Sequence, residues 1–151
     1  MNYDSLLASA KALIDNEKHE ISLLSNISAF IYQYIPNLNW SGFYLNKNEV
    51  LILGPFQGKI ACSIIEKGKG VCGTSFLTKK SVVVPNVHLY DNHIACDSAS
   101  NSEVVIPIII NNTVYGVLDI DSPLINRFDG ELVIFLEKIV IYLTEKLTFW
   151  H

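Results

Sequence analysis

The chain has 151 residues, half of them hydrophobic, with a formal net charge of -4 and a sequence pI near 5.5. That is enough apolar side chain for one domain with a sizeable core and short for two. The acidic balance, with no run of Lys or Arg, excludes a broad electrostatic grip on nucleic acid or on an anionic membrane.

The opening stretch MNYDSLLASAKALID has no basic start before an uninterrupted apolar core, so it does not read as a signal peptide. The longest apolar runs, such as Val104 to Ile110, fall far below the roughly 20 residues that span a bilayer. A soluble, cytoplasmic protein is expected. Three cysteines, an odd number, then read as free, redox-active or metal-binding thiols better than as a structural disulfide framework.

Leu6, Leu7, Ala10 and Leu13 recur at helical steps and predict an amphipathic helix over Tyr3 to Ile14. A second helix is expected from Lys18 to Tyr34, with Ile21, Leu24, Ile27 and Ile31 on one stripe, closed by Pro36. From Trp40 the period becomes two. Trp40 to Leu45, a turn at Asn46 to Asn48, and Val50 to Leu53 form a predicted hairpin. Gly54 to Gly58 is expected to break the strand, which resumes over Lys59 to Ile65; Val71 to Lys80 is expected to be helical and Val82 to Val84 a short buried strand. A polar passage without periodicity, Asn86 to Ser102, is long for a connector in a compact domain, and such loops are more often functional than not.

Two strands follow, Glu103 to Ile110 and Thr113 to Asp121, joined by Asn111-Asn112, a strong hairpin signal. Leu132, Phe135, Leu136, Ile139, Leu143 and Leu147 share one face of a last helix from Asp129 to Thr148. The order does not alternate as βαβ units do. An α+β fold with a mostly antiparallel sheet is expected, the terminal helices sharing one face and the loops covering the other.

Chemistry concentrates between Gly54 and Asp121, which hold all three cysteines, Cys62, Cys72 and Cys96. Asp119 and Asp121, two apart on one strand, leave the same face of the sheet. Carboxylates held side by side repel, which raises the pKa of one and keeps a proton available near neutral pH. Glu103, at the mouth of the preceding strand, is placed to join them. The competing reading has Asp121 capping the turn at Ser122-Pro123 and Asp119 solvated. Cys96, among small residues, is a candidate nucleophile, although a buried cysteine is more often an inert small hydrophobe. The cysteine spacing matches no common zinc pattern, so a metal site built with His88 or His93 is disfavoured, and both histidines are expected to anchor the loop by hydrogen bonds.

Taken together, NWSGFYL at Asn39 to Leu45, LGPFQGKIAC at Leu53 to Cys62, GKGVCGTS at Gly68 to Ser75, HIACDSASNSE at His93 to Glu103 and GVLDIDS at Gly116 to Ser122 resemble the free methionine-(R)-sulfoxide reductases, which are built on a GAF domain. The resemblance covers nearly the whole chain after the first helix. It implies a GAF-like, six-stranded antiparallel sheet flanked by helices, one domain over residues 1–151, and usually a homodimer. It also implies roles: Cys96 as catalytic cysteine, Cys72 and Cys62 as the cysteines that resolve the intermediate, Glu103, Asp119 and Asp121 as carboxylates that hold the substrate, and Trp40 as an aromatic pocket wall.

The chemistry so implied is attack by the Cys96 thiolate on the sulfoxide sulfur, protonation of its oxygen by a carboxyl, and a sulfenic acid that condenses to a disulfide recycled by thioredoxin. Which of Cys62 and Cys72 resolves stays open, with a slight preference for Cys72. No cofactor, metal, nucleic acid or membrane is expected to take part. The rival readings are a non-catalytic GAF sensor module, which is expected to accompany an output domain, and a zinc or thiol redox switch resting on the cysteines alone.

Overall fold

The structure is a computed structural model that describes residues 1–92 and 99–151. Its elements run α1 (Tyr3–Asn16), α2 (Glu20–Tyr34), β1 (Trp40–Lys47), β2 (Val50–Gly58), β3 (Ile64–Glu66), α3 (Gly70–Thr78), β4 (Val82–Val84), a 3-10 turn (Val87–Leu89), β5 (Ser102–Ile110), β6 (Thr113–Ser122) and α4 (Gly130–Trp150). The six strands form one sheet in the order β3-β2-β1-β6-β5-β4, and every neighbouring pair is antiparallel. This is the α+β architecture the sequence pattern called for.

Alternation along the central strands divides the apolar side chains between two cores. Phe43 of β1, Val104, Ile106 and Ile108 of β5, and Leu118 and Ile120 of β6 face α1, α2 and α4, where Ala10, Ile14, Leu24, Ile27, Ile31, Phe135 and Ile139 complete the larger core. The opposite face carries Trp40, Tyr44, Leu51, Val105 and Val117 against Val71, Cys72 and Phe76 of α3. The first and last helices therefore do share one face, and the site lies across the sheet from them. Caps at the helix starts fit their positions: Asn2 Oδ1 accepts from Ser5 N at 3.0 Å and Asp129 Oδ1 from Leu132 N at 2.9 Å. Among the described residues no helix is long and apolar enough to cross a membrane.

Three local expectations are corrected. Ile21 is not on the buried stripe of α2: it is 75% exposed, while Leu23, Leu24, Ile27, Ser28 and Ile31 are buried. At about 100° per residue, Ile21 falls on the side of Leu24 away from Leu23, past the edge of the contact. Ser28 instead locks the helix to the sheet, donating to Leu24 O at 2.7 Å and Pro55 O at 3.2 Å and accepting from Ser41 Oγ at 3.1 Å through its carbonyl.

Gly54 and Pro55 do not break the strand. The register moves from Gly42↔Phe56 to Tyr44↔Leu53, one extra residue on β2, so the bulge absorbs both. Proline is tolerated there because β3 pairs only with Val50 to Ile52, leaving β2 an edge strand at Pro55. The predicted strand over Lys59 to Ile65 shrinks accordingly to Ile64–Glu66. The first hairpin turns one residue later than expected, at Asn48 and Glu49, whose φ values are 56° and 69°. The β5–β6 turn sits where anticipated, with Asn111 and Asn112 at φ 52° and 64°, the signature of a two-residue turn of type I′.

Gly116 of β6 lies between Leu45 and Ile108 on the neighbouring strands, and a Cβ there would run into the backbone carbonyl of Tyr44. Backbone cannot move aside as a side chain can. Gly116→Ala is expected to lower stability by about 1–3 kcal/mol in urea unfolding; an unchanged midpoint would show that β1 and β6 are not held so closely.

Candidate active site

The β5–β6 pairing places three acids on the α3 face. Glu103 pairs with Asp121 and Val105 with Asp119 across the ladder, and alternation turns Glu103, Asp119 and Asp121 the same way. All are buried, at 7%, 5% and 9% exposure, as is Cys72 at 4%. One oxygen from each of Glu103 and Asp119 and the sulfur of Cys72 lie within 4.8 Å of one another. Asp119 is hydrogen bonded to both Glu103 and Cys72, and Glu103 also to Asp121. Among the described residues, the Oδ1 atom of Asp119 has no hydrogen-bond partner.

The alternative in which Asp119 is solvated and Asp121 caps the turn is not what forms. Ser122 makes that cap, accepting from Leu124 N at 3.0 Å, and donates to Asn37 O at 2.6 Å.

The electrostatics raise both Glu103 and Asp119. Burial pushes the Glu103 carboxyl well above its ordinary 4.5, and the charges of Asp119 and Asp121 push further in the same direction. Burial also raises Asp119 from 3.8, but hydrogen bonds from Glu103 and Cys72 oppose it. Desolvation and like charge thus favour the neutral form of Glu103, which can donate a hydrogen bond to Asp119. The Cys72 thiol is raised well above 9.0 by burial first and then by Asp119, Glu103 and Asp121. Held as a thiol, it is a hydrogen-bond donor and a poor nucleophile.

An aromatic ledge bounds this face. Trp40, opposite Asp121 in the β1–β6 register, stacks on Phe56 at 5.0 Å and on Tyr44 at 5.8 Å between ring centres. Trp40 Nε1 donates to Lys59 O at 3.2 Å and Tyr44 Oη to Cys62 O at 2.9 Å, so the two rings hold the segment that carries Cys62. Cys62 is disulfide-bonded, whereas Cys72 is free. Tyr44 is the residue that sequence reasoning missed. Its signal was present: it lies four positions from Trp40 on a strand, hence on the same face.

The long connector is tied down on both sides. Tyr90 Oη donates to Thr74 Oγ1 at 3.1 Å and Asn92 Nδ2 to Gly68 O at 2.8 Å, at the start of α3. After it, Asn101 N donates to Ser122 O at 2.8 Å, and Asn39 Nδ2 to Ser100 Oγ at 3.0 Å. His88 is the loop anchor expected of it, 2.7 Å from Asn101 Oδ1. Cys96 and His93 lie outside the described residues. Among the described residues, neither Cys62 nor His88 joins a group of potential metal ligands, so the spacing-based zinc site with His88 gains no support.

A family model of the GAF domain matches residues 18–143. The free methionine-R-sulfoxide reductase of Escherichia coli is 45% identical over 145 residues, 91% of this chain and 88% of that protein. The yeast enzyme of the same name, from Saccharomyces cerevisiae, is 42% identical over 154 residues, covering 97% and 86%. The reduced form of the Staphylococcus aureus fRMsr superposes with a TM-score of 0.93 at 46% identity, covering 97% of this chain and 95% of that one; its complex with substrate gives 0.91.

The raised Glu103 has a measurable consequence. Between the unfolded value near 4.5 and its higher native value the folded state alone holds the proton, so this group's contribution to stability falls as pH rises through that interval. Glu103→Gln cannot titrate. Its stability relative to the parent is expected to improve steadily from about pH 4.5 to neutrality in parallel urea titrations; curves that stay parallel would place the proton elsewhere.

Proposed function

The chain belongs to the free methionine-R-sulfoxide reductases of the GAF-domain family, and from that membership we propose that it reduces the R-sulfoxide of free methionine through Cys96, with Glu103 as proton donor. The observation that carries the proposal is a buried carboxylic acid, Glu103, hydrogen bonded to Asp119 on the face closed by Trp40.

A thiolate at Cys96 forms a bond to the electrophilic sulfur while Glu103 delivers its proton to the sulfoxide oxygen. Oxygen passes to the cysteine, methionine leaves with the sulfur lone pair restored, and Cys96 becomes a sulfenic acid. A resolving thiol condenses with it, releasing water and forming a disulfide. A dithiol, taken here as thioredoxin, returns the two electrons by exchange. The working form is taken as a cytoplasmic homodimer of a single domain, with no cofactor or metal.

Two facts move the choice of resolving cysteine from Cys72 to Cys62. Cys62 is disulfide-bonded, whereas Cys72 is a free thiol kept protonated among acids. Tyr44 and Trp40 hold the backbone beside Cys62, which lowers the entropy lost when its sulfur reacts. Cys72 in this reading orients Asp119.

The carboxylates also select the substrate. A free amino acid brings an ammonium that peptide-bound methionine lacks, and buried acids answer it with charge-assisted hydrogen bonds. A peptide would leave them unpaired. The aromatic ledge offers the methyl-sulfur end a favourable ring contact.

NADPH consumption coupled through thioredoxin and its reductase tests the scheme. Cys96→Ser is expected to fall to background, and Glu103→Gln to lose about 10²- to 10⁴-fold in kcat. Cys62→Ser is expected to release one methionine per chain in a single turnover and then stop, while Cys72→Ser keeps recycling. Full activity in Cys96→Ser would end the proposal. In the same assay a methionine sulfoxide residue inside a peptide is expected to be turned over at least 100-fold less efficiently than the free amino acid, a margin of the size that unpaired polar groups impose; equal rates would remove the ammonium from the pocket.

A further inference from the structure

We propose that Cys72, Glu103 and Asp119 form a binding site for a thiophilic divalent cation of the zinc class. The donor set is one sulfur and two carboxylates, all buried and within 4.8 Å of one another. Sulfur with carboxylate oxygen suits zinc and its substitutes cobalt and cadmium, and disfavours magnesium and calcium, which take oxygen alone.

The geometry is close to what such an ion asks. Tetrahedral zinc, with bonds of about 2.3 Å to sulfur and about 2.0–2.2 Å to oxygen, holds its ligands roughly 3.5 Å apart. Two of the three pairs, Cys72 with Asp119 and Glu103 with Asp119, are already in hydrogen-bond contact. A shift of at most about 1.3 Å on the third side gives three legs of a tetrahedron.

A second observation, on one of these carboxylates, also points to a ligand. Asp119 Oδ1 is buried and, among the described residues, has no hydrogen-bond partner, an arrangement that is costly unless something fills it. A cation bound by this carboxylate answers that deficit, since both oxygens are then available to it.

The elements that present the ligands are rigid. Glu103 and Asp119 sit on adjacent central strands, and Cys72 in the first turn of α3, whose Gly73 admits no side chain because a Cβ would press on the Glu66 carbonyl. Ligands on such elements give a site that binding need not first order. A bound ion would displace the hydrogens that now link the three groups and occupy the space used by the proposed chemistry, so it would act as an inhibitor. The site does not rest on the reductase reading: it can be present if that reading fails, and absent if it holds.

The test is a cobalt(II) titration of the full chain under non-reducing conditions, with the Cys62 disulfide intact and Cys72 as the free thiol. One equivalent is expected to produce a thiolate-to-cobalt charge-transfer band in the near ultraviolet, removed by adding zinc. Cys72→Ser is expected to abolish the band, and Glu103→Gln to weaken cobalt binding at least tenfold while keeping it. Absence of the band in the parent chain, which requires no variant to fold, overturns the proposal. So does a band of undiminished strength in Cys72→Ser.

Discussion

The structure turns on the hydrogen bond between Glu103 and Asp119. It joins two acids on neighbouring strands, in a place where neither has water. Burying one carboxylate is costly and burying two side by side more so, unless a proton is shared between them. The fold favours that arrangement: burial and the neighbouring charges raise Glu103, while hydrogen bonds from Glu103 and Cys72 oppose the rise at Asp119.

Everything that sets this contact is a matter of register. Asn111 and Asn112 adopt the left-handed backbone that a two-residue hairpin needs, and a one-residue register shift between Ile108 and Ile109, with the extra residue on β6, then pairs Glu103 with Asp121 and Val105 with Asp119. A slip of one residue on β6 would send both aspartates into the helix-covered core and Leu118 and Ile120 out of it. The apolar alternation of β6 therefore guards the acid cluster: the large core on one face makes the wrong register too expensive to populate. Ser28, Ser41 and the bulge at Gly54-Pro55 perform a similar service for β1 and β2, fixing the ledge of Trp40, Tyr44 and Phe56 beside the acids.

The two faces of the sheet consequently do different work. The face under α1, α2 and α4 is continuous hydrocarbon and supplies stability. The opposite face has a smaller core, and near its acid end polar side chains replace apolar ones. Polar groups accumulate where strands end and connectors begin, a common place for sites because loops can vary while the scaffold stays rigid.

Much of this was legible in the chain of residues. Period-two alternation from Trp40, the Asn-Asn turn, and the spacing of Asp119 from Asp121 define strands, a hairpin and a shared face by covalent geometry alone, without reference to anything distant. The motifs around the cysteines carried the family. Errors fell where neighbours overrule local signals: Pro55 looked like a strand end, but an edge strand with a bulge accepts it, and Ile21 looked buried, but Leu23 takes its place. Tertiary structure alone decided that Ser122 rather than Asp121 caps the turn, that Tyr44 reaches the carbonyl of Cys62, and that burial together with the charges of Asp119 and Asp121 raises Glu103. The reason is physical: which acid stays protonated depends on burial and on charges from another strand, and neither is a property of the residue or of its neighbours in sequence.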